Sequence, residues 1–103
     1  MLALVATAAA AQQPAQLRCG EHLLTIDYPG NRMTVDVIDK GGKILRPSEQ
    51  QKLLMTDTDS RAMAVRGSSV DWDRFTLDHQ SNVFTRENDA GERWTQSCIP
   101  HQP

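Results

Sequence analysis

The chain has 103 residues, with 11 Lys and Arg against 13 Asp and Glu and a formal net charge of -2. That length accommodates one small domain, and a weakly acidic balance with basic side chains dispersed among acids lacks the cationic stripe a nucleic-acid surface requires. Nucleic acid is therefore excluded from the expected partners.

Taken in chain order, the first feature is "MLALVATAAAA", apolar from Leu2 to Ala11 and followed by "QQPAQ". An apolar run closed by small residues at Ala9, Ala10 and Ala11 has the profile of a secretory core with its cleavage site. At about ten residues it is half the roughly twenty that a spanning helix needs. These observations predict a signal peptide at 1–11, a single β domain at 12–103, a periplasmic or secreted destination and no stable membrane insertion. The positive charge that ordinarily leads a signal peptide is missing, which leaves open a start upstream of Met1. The alternative is an alanine-rich helix packed on the domain, but the run has no amphipathic face.

Cys19, in "QLRCGEHLLTIDYPG", admits four readings. A lipid-anchored cysteine directly follows the apolar core in a box of small residues, whereas here Arg18 and polar residues intervene. A metal centre needs several closely spaced ligands. Cys98 is the one other cysteine, and His22, His79 and His101 form no ligand ladder, so neither metal nor cofactor is expected. A catalytic thiolate needs a partner histidine and reducing surroundings, which an exported chain lacks. A Cys19–Cys98 disulfide remains, the one intramolecular pairing that two cysteines allow. It would join the first strand of the domain to the last.

From Leu17 onward apolar residues recur mostly at period two, broken by turn clusters, the pattern of a β protein. Leu24, Ile26 and Tyr28 share a parity opposite to Leu17 and Cys19, which predicts a bulge at Gly20. "YPGN" fits a type II turn with positive φ at Gly30. "RMTVDVID" then reads as a half-buried strand with Met33, Val35 and Val37 inward and Arg32, Thr34 and Asp36 outward. Ile44 and Leu45 suggest a short strand ended by Pro47. In "PSEQQKLLM", Ser48 and Gln51 have capping-box spacing for a two-turn helix, with a strand through Leu53 to Met55 as the alternative.

Beyond the "DTDS" turn, Met63 and Val65 are expected inward. "VDWDRFTLD" sets Val70 and Trp72 on one parity and Phe75 and Leu77 on the other, which predicts a twist or a second bulge near Asp73 and Arg74. Val83 and Phe84 mark a further strand. The last one, "ERWTQSCI", places Trp94, Gln96 and Cys98 on one side, and "PHQP" is expected to fray. The fold class is therefore all-β, a small antiparallel barrel or sandwich of seven to eight short strands that leaves few open edges. One short helix and one disulfide complete it, with Tyr28, Trp72, Phe75, Phe84 and Trp94 as the expected aromatic core.

Chemistry-bearing patterns are sparse. "DTDSR", from Asp57 to Arg61, begins like a calcium loop but has an arginine where the third ligand belongs. Asp71 and Asp73 in "DWD" would suit paired acid/base carboxylates, and Asp78 with His79 would suit a base and its orienting acid. No motif places a nucleophile beside them, so the expected catalytic set is none.

At "LRCGEHLLTIDYPGNRMTVDVID" and "ERWTQSC" the chain resembles small exported bacterial β-barrel proteins of the kind that includes the membrane-bound inhibitor of c-type lysozyme. The shared pattern is a cysteine opening the first strand, a tight hairpin, and a final strand ending in the partner cysteine. That resemblance implies a loop inserted into a hydrolase cleft. The corresponding segment is "VRGSSVDW", with Arg66, Gly67, Ser68 and Ser69 as binding residues and no tyrosine. The expected function is a non-enzymatic periplasmic binding protein whose partner is another protein, such as a cell-wall hydrolase. The alternatives are an envelope structural or assembly component acting through an exposed sheet edge, and a small hydrolase using Asp71/Asp73 or Asp78/His79.

Overall fold

In the computed structural model, which describes residues 15–101, nine strands follow in chain order: β1 (Ala15–Cys19), β2 (His22–Asp27), β3 (Arg32–Val37), β4 (Leu53–Asp57), β5 (Arg61–Gly67), β6 (Trp72–Asp78), β7 (Val83–Asn88), β8 (Arg93–Ser97) and β9 (Ile99–Pro100). From β1 to β8 each strand pairs antiparallel with its sequence neighbour. β9 returns to β1, with Leu17 opposite Pro100 and Arg18 opposite Ile99. The meander thereby curls into a nearly closed barrel. The segment assigned to a signal peptide, 1–11, lies outside the described residues. No helix among the described residues is long and apolar enough to cross a membrane.

Cys98 sits between β8 and β9 and is disulfide-bonded to Cys19 at the end of β1, 79 residues earlier in the chain. Both sulfurs are in the core, so the bond lies inside the seam that closes the barrel. Of the tail expected to fray, Pro100 belongs to β9 and the His101 amide donates to the Gln16 carbonyl at 3.0 Å, while 102–103 lie outside the described residues.

Alternation decides what fills the interior. Cys19, Leu24, Ile26, Met33, Met55, Phe75, Leu77 and Phe84 form the core together with Ala62 and Ala64. Parity on β5 is therefore the reverse of the expected one: Ala62 and Ala64 point in, Val65 is exposed and Met63 is half-buried. The reason is space. Ala64 lies opposite Phe75 and Ala62 opposite Leu77, and the Phe75 and Phe84 rings stack nearly parallel with centroids 6.1 Å apart. Two methyl groups complete a layer already filled by large neighbours, as dense interiors require.

Neither expected bulge forms. β1 and β2 are the two arms of a hairpin, and the parity change at Gly20 is the turn itself, with Gly20 at a left-handed φ of 63°. This is the position a two-residue turn reserves for glycine. β5 and β6 pair without interruption from Arg61–Asp78 to Gly67–Trp72, so Trp72 shares the outer face with Arg74, whose guanidinium lies 5.2 Å from its ring. Of the expected aromatic core only Phe75 and Phe84 are buried; Trp72 is half-buried, and Tyr28 and Trp94 are exposed. The positive φ of the second hairpin also moves, to Asn31 at 53° instead of Gly30. Gly30 instead brings its amide within 3.1 Å of Asp27 Oδ1, which crowds the space a side chain would occupy.

The segment between β3 and β4 crosses the outer face of β1–β3 as a strap. Arg18 donates to the carbonyls of Asp39 and Lys40, at 3.3 and 3.0 Å, and Gln50 donates to the Asp36 carboxylate at 2.9 Å. Leu23, Asp36 and Ile38 are buried as a result, whereas Val37, expected inward, is exposed at the barrel end. Burial of Asp36 is tolerable because the strap supplies its hydrogen-bond donor. Ile44 makes a single bridge to Ile38 and Leu45 is exposed, so no strand forms there. The expected helix is reduced to a 3-10 turn at Pro47–Glu49, and the alternative strand reading of Leu53–Met55 is the one realised.

Candidate functional site

The sheet β5–β8 carries three inward rows of side chains across its strands: Ala62–Leu77–Phe84–Gln96, Ala64–Phe75–Arg86–Trp94 and Arg66–Asp73–Asn88. Moving along these rows the interior changes from apolar to charged. Arg66 donates to Asp73 Oδ2 at 3.0 Å, and Arg86 reaches Asp73 Oδ1 through Nε and Nη2 at 3.2 and 3.1 Å. The same two guanidiniums lie over aromatic faces, Arg66 over Phe75 at 5.2 Å and Arg86 over Trp94 at 5.1 Å. One carboxylate thus holds two cations, each stacked on a ring.

Burial opposes the charged form of Asp73, but the hydrogen bonds and positive charge of Arg66 and Arg86 outweigh it and hold the carboxyl below its ordinary value of 3.8. A lowered native value contributes stability that is present above the unfolded value and is lost as pH falls through the native one. Urea midpoints of the wild type and Asp73→Asn should therefore differ most at neutral pH and converge as the pH falls through the lowered native value. Parallel curves would show that the two arginines do not act through this carboxylate.

Beside this network a cleft of about 710 Å3 opens between the β1–β2 turn and the inner face of β7–β8. Cys19, Phe84, His22, Arg86, Trp94 and Gln96 are among its lining residues. The His22 ring tilts against Phe84 with centroids 5.8 Å apart. Burial and then the charge of Arg86 push its imidazole below 6.5, with Glu21 opposing in part. Sequence reasoning missed this cleft. Its one legible signal was the shared parity of Trp94, Gln96 and Cys98; which strands faced them depended on tertiary pairing.

Arg66, Gly67, Ser68 and Ser69 separate onto two faces. Arg66 turns inward to Asp73, whereas Ser68 and Ser69 line a shallow outer hollow of about 270 Å3 with Val65, Trp72 and Arg74. The turn joining β5 to β6 is held by its own bonds. The Ser68 amide donates to Asp71 O at 2.9 Å, and Ser68 Oγ accepts from the amides of Val70 and Asp71 at 3.4 and 3.1 Å. Gly67 has a φ of 105°, and a Cβ there would stand 2.2 Å from the Asp71 carbonyl oxygen. Gly67→Ala is expected to destabilise by about 1–3 kcal/mol, read from urea midpoints. An unchanged midpoint would mean that the turn opens freely.

The residues weighed for catalysis do not gather as the sequence suggested. Asp71 lies in the β5–β6 turn, while Asp73 is engaged by arginines on the inner face. Asp78 accepts from the amides of Gln80 and Ser81, both at 2.9 Å, and those backbone bonds lower its carboxyl. His79 is hydrogen-bonded instead to Asp57, at 2.7 Å, with Tyr28 beside it at 6.1 Å between centroids. Burial and the Asp57 charge push the Tyr28 phenol up. The "DTDSR" segment is a turn in which the Thr58 amide bonds the Arg61 carbonyl at 2.9 Å. Among the described residues no three His, Cys, Asp or Glu side chains form a metal cluster. Comparison with protein-family models, curated proteins and solved structures returns no match.

Proposed function

We propose that the protein is an exported, non-enzymatic binding protein that presents its β5–β6 hairpin to another protein, after the fashion of an inhibitor entering the cleft of a cell-wall hydrolase. The observation that carries this reading is the hairpin's preorganisation. Gly67 and Ser68 fix the turn from within, while Val70 projects from it 80% exposed. A loop held in one conformation loses little entropy on docking, and an apolar tip beside free polar groups is what a partner's cleft can desolvate. Arg66 is committed to Asp73, so the presented set is Ser69, Val70 and the turn backbone. Export accords with the disulfide, since such bonds persist in oxidising compartments.

A turbidity assay of bacterial cell walls with c-type lysozyme tests the inhibitor version. Micromolar protein should slow clearing, and Val70→Asp should abolish the effect without altering the fold. Clearing at an undiminished rate with the wild-type protein overturns it.

A further inference from the structure

β1 stops at Cys19, directly across from Cys98. Its register with the last strand, Leu17 opposite Pro100 and Arg18 opposite Ile99, would continue by placing position 20 opposite Ser97, but the chain reverses at Gly20 into β2. All of β8 therefore runs on past the end of β1. It pairs with β7 on one side and with no described strand on the other, and each of its five residues is exposed.

The phase of the ladder identifies the backbone groups left over. The Asn88 amide donates to Glu92 O at 3.1 Å, and the Cys98 amide donates to Asn82 O at 2.8 Å. Counting by twos between those points, Trp94 and Gln96 turn their N–H and C=O toward β7, while Arg93, Thr95 and Ser97 turn theirs to the open side. Side chains follow the other alternation: Trp94 and Gln96 face the 710 Å3 cleft. Natural edges are ordinarily blunted by proline, lysine, bulges or inward charge; "RWTQS" carries a single charge, Arg93, at one end.

We propose that this edge accepts a strand: an extended segment of a partner protein, antiparallel to β8, in the place β1 would hold had it continued. Its alternate side chains enter the cleft, and its outward acidic side chains meet Arg93. Main-chain bonds supply affinity and the cleft supplies selectivity. Charge chooses the occupant. Inside the cleft Arg86 is already paired with Asp73 and Glu21 is a further lining residue, whereas Arg93 has no ion pair among the described residues. β8 carries no acid, so pairing with β8 of a second copy would leave Arg93 unanswered. This surface is separate from the β5–β6 hairpin, and its test can fail while the inhibitor reading holds, or the reverse.

The test uses the intact 15N-labelled protein and two end-blocked heptapeptides, Thr-Val-Glu-Val-Glu-Val-Thr and its counterpart with Lys for Glu. At millimolar acidic peptide the amides of Arg93, Thr95 and Ser97 should exchange about tenfold more slowly, with Trp94 and Gln96 unchanged, and the basic peptide should bind about tenfold more weakly. Arg93→Glu should reverse the preference. Thr95→Pro removes the middle outward N–H without touching a bond to β7, so it should weaken binding with the circular dichroism unaltered. The proposal is overturned if the three amides are already slow in the free protein, if they slow with protein concentration alone, if the two peptides act equally, or if neither acts at millimolar concentration.

Discussion

Replacing Cys19 and Cys98 together by alanine is expected to remove about 4–5 kcal/mol of stability, the chain-entropy value for a closed loop of this length. The two positions are 79 residues apart. Both are buried, so the loss of two core sulfurs adds a packing deficit to the freedom regained by the unfolded chain. A typical domain has about 5–15 kcal/mol in total; the melting temperature should fall by roughly 20 °C or more. The seam explains why nothing compensates. Apart from the sulfur bridge, β9 and β1 meet through two residue pairs and the His101–Gln16 backbone bond beside them. Calorimetry of the alanine pair beside the oxidised wild type decides the matter. Coincident melting curves would mean that the bridge constrains nothing.

Phe75→Ala is expected to cost about 3–5 kcal/mol, at the upper end for a deleted aromatic ring. Phe75 is 1% exposed, stacked on Phe84, and covered at its other end by the Arg66 guanidinium. The size of the loss depends on whether the site can collapse, and here it cannot do so easily. The cross-strand neighbours are Ala64, whose methyl group is fixed to a paired backbone and has no rotamer with which to fill a void, and Arg86, whose guanidinium is held by Asp73. The substitution also takes the aromatic face from Arg66 and so loosens the pair with Asp73. Urea denaturation measures the effect; a loss under about 1.5 kcal/mol would mean that the interior closes over the vacated volume.

The fold class, the strand-rich pattern and the sulfur pairing were legible because they follow from local alternation, turn residues and a cysteine count of two. What was not legible has a common cause. On β5 both parities are apolar, "AMAV", so hydrophobicity could not choose between Met63 with Val65 and Ala62 with Ala64; the volumes of Phe75 and Leu77 across the ladder made the choice. Asp36 read as an outward residue because nothing local announces that a strap fifteen residues long will bring Gln50 over it. The candidate site divides in the same way. The β5–β6 turn was visible from its glycine and serines. The inward commitment of Arg66, the pairing of His79 with Asp57 in place of Asp78, and the cleft beside Trp94 all depend on which strands become neighbours.

Almost every strand pairing in this barrel joins partners adjacent along the chain, and the exception is β9 against β1. Hairpins of that kind zip rapidly, whereas a contact spanning nearly the full sequence must await the far end. A polypeptide emerging amino-terminus first would thus expose Cys19 as a lone thiol until some eighty further residues had followed it. Mispairing with another molecule during that interval is the characteristic hazard of this architecture, and oxidants acting late in maturation would favour the correct product.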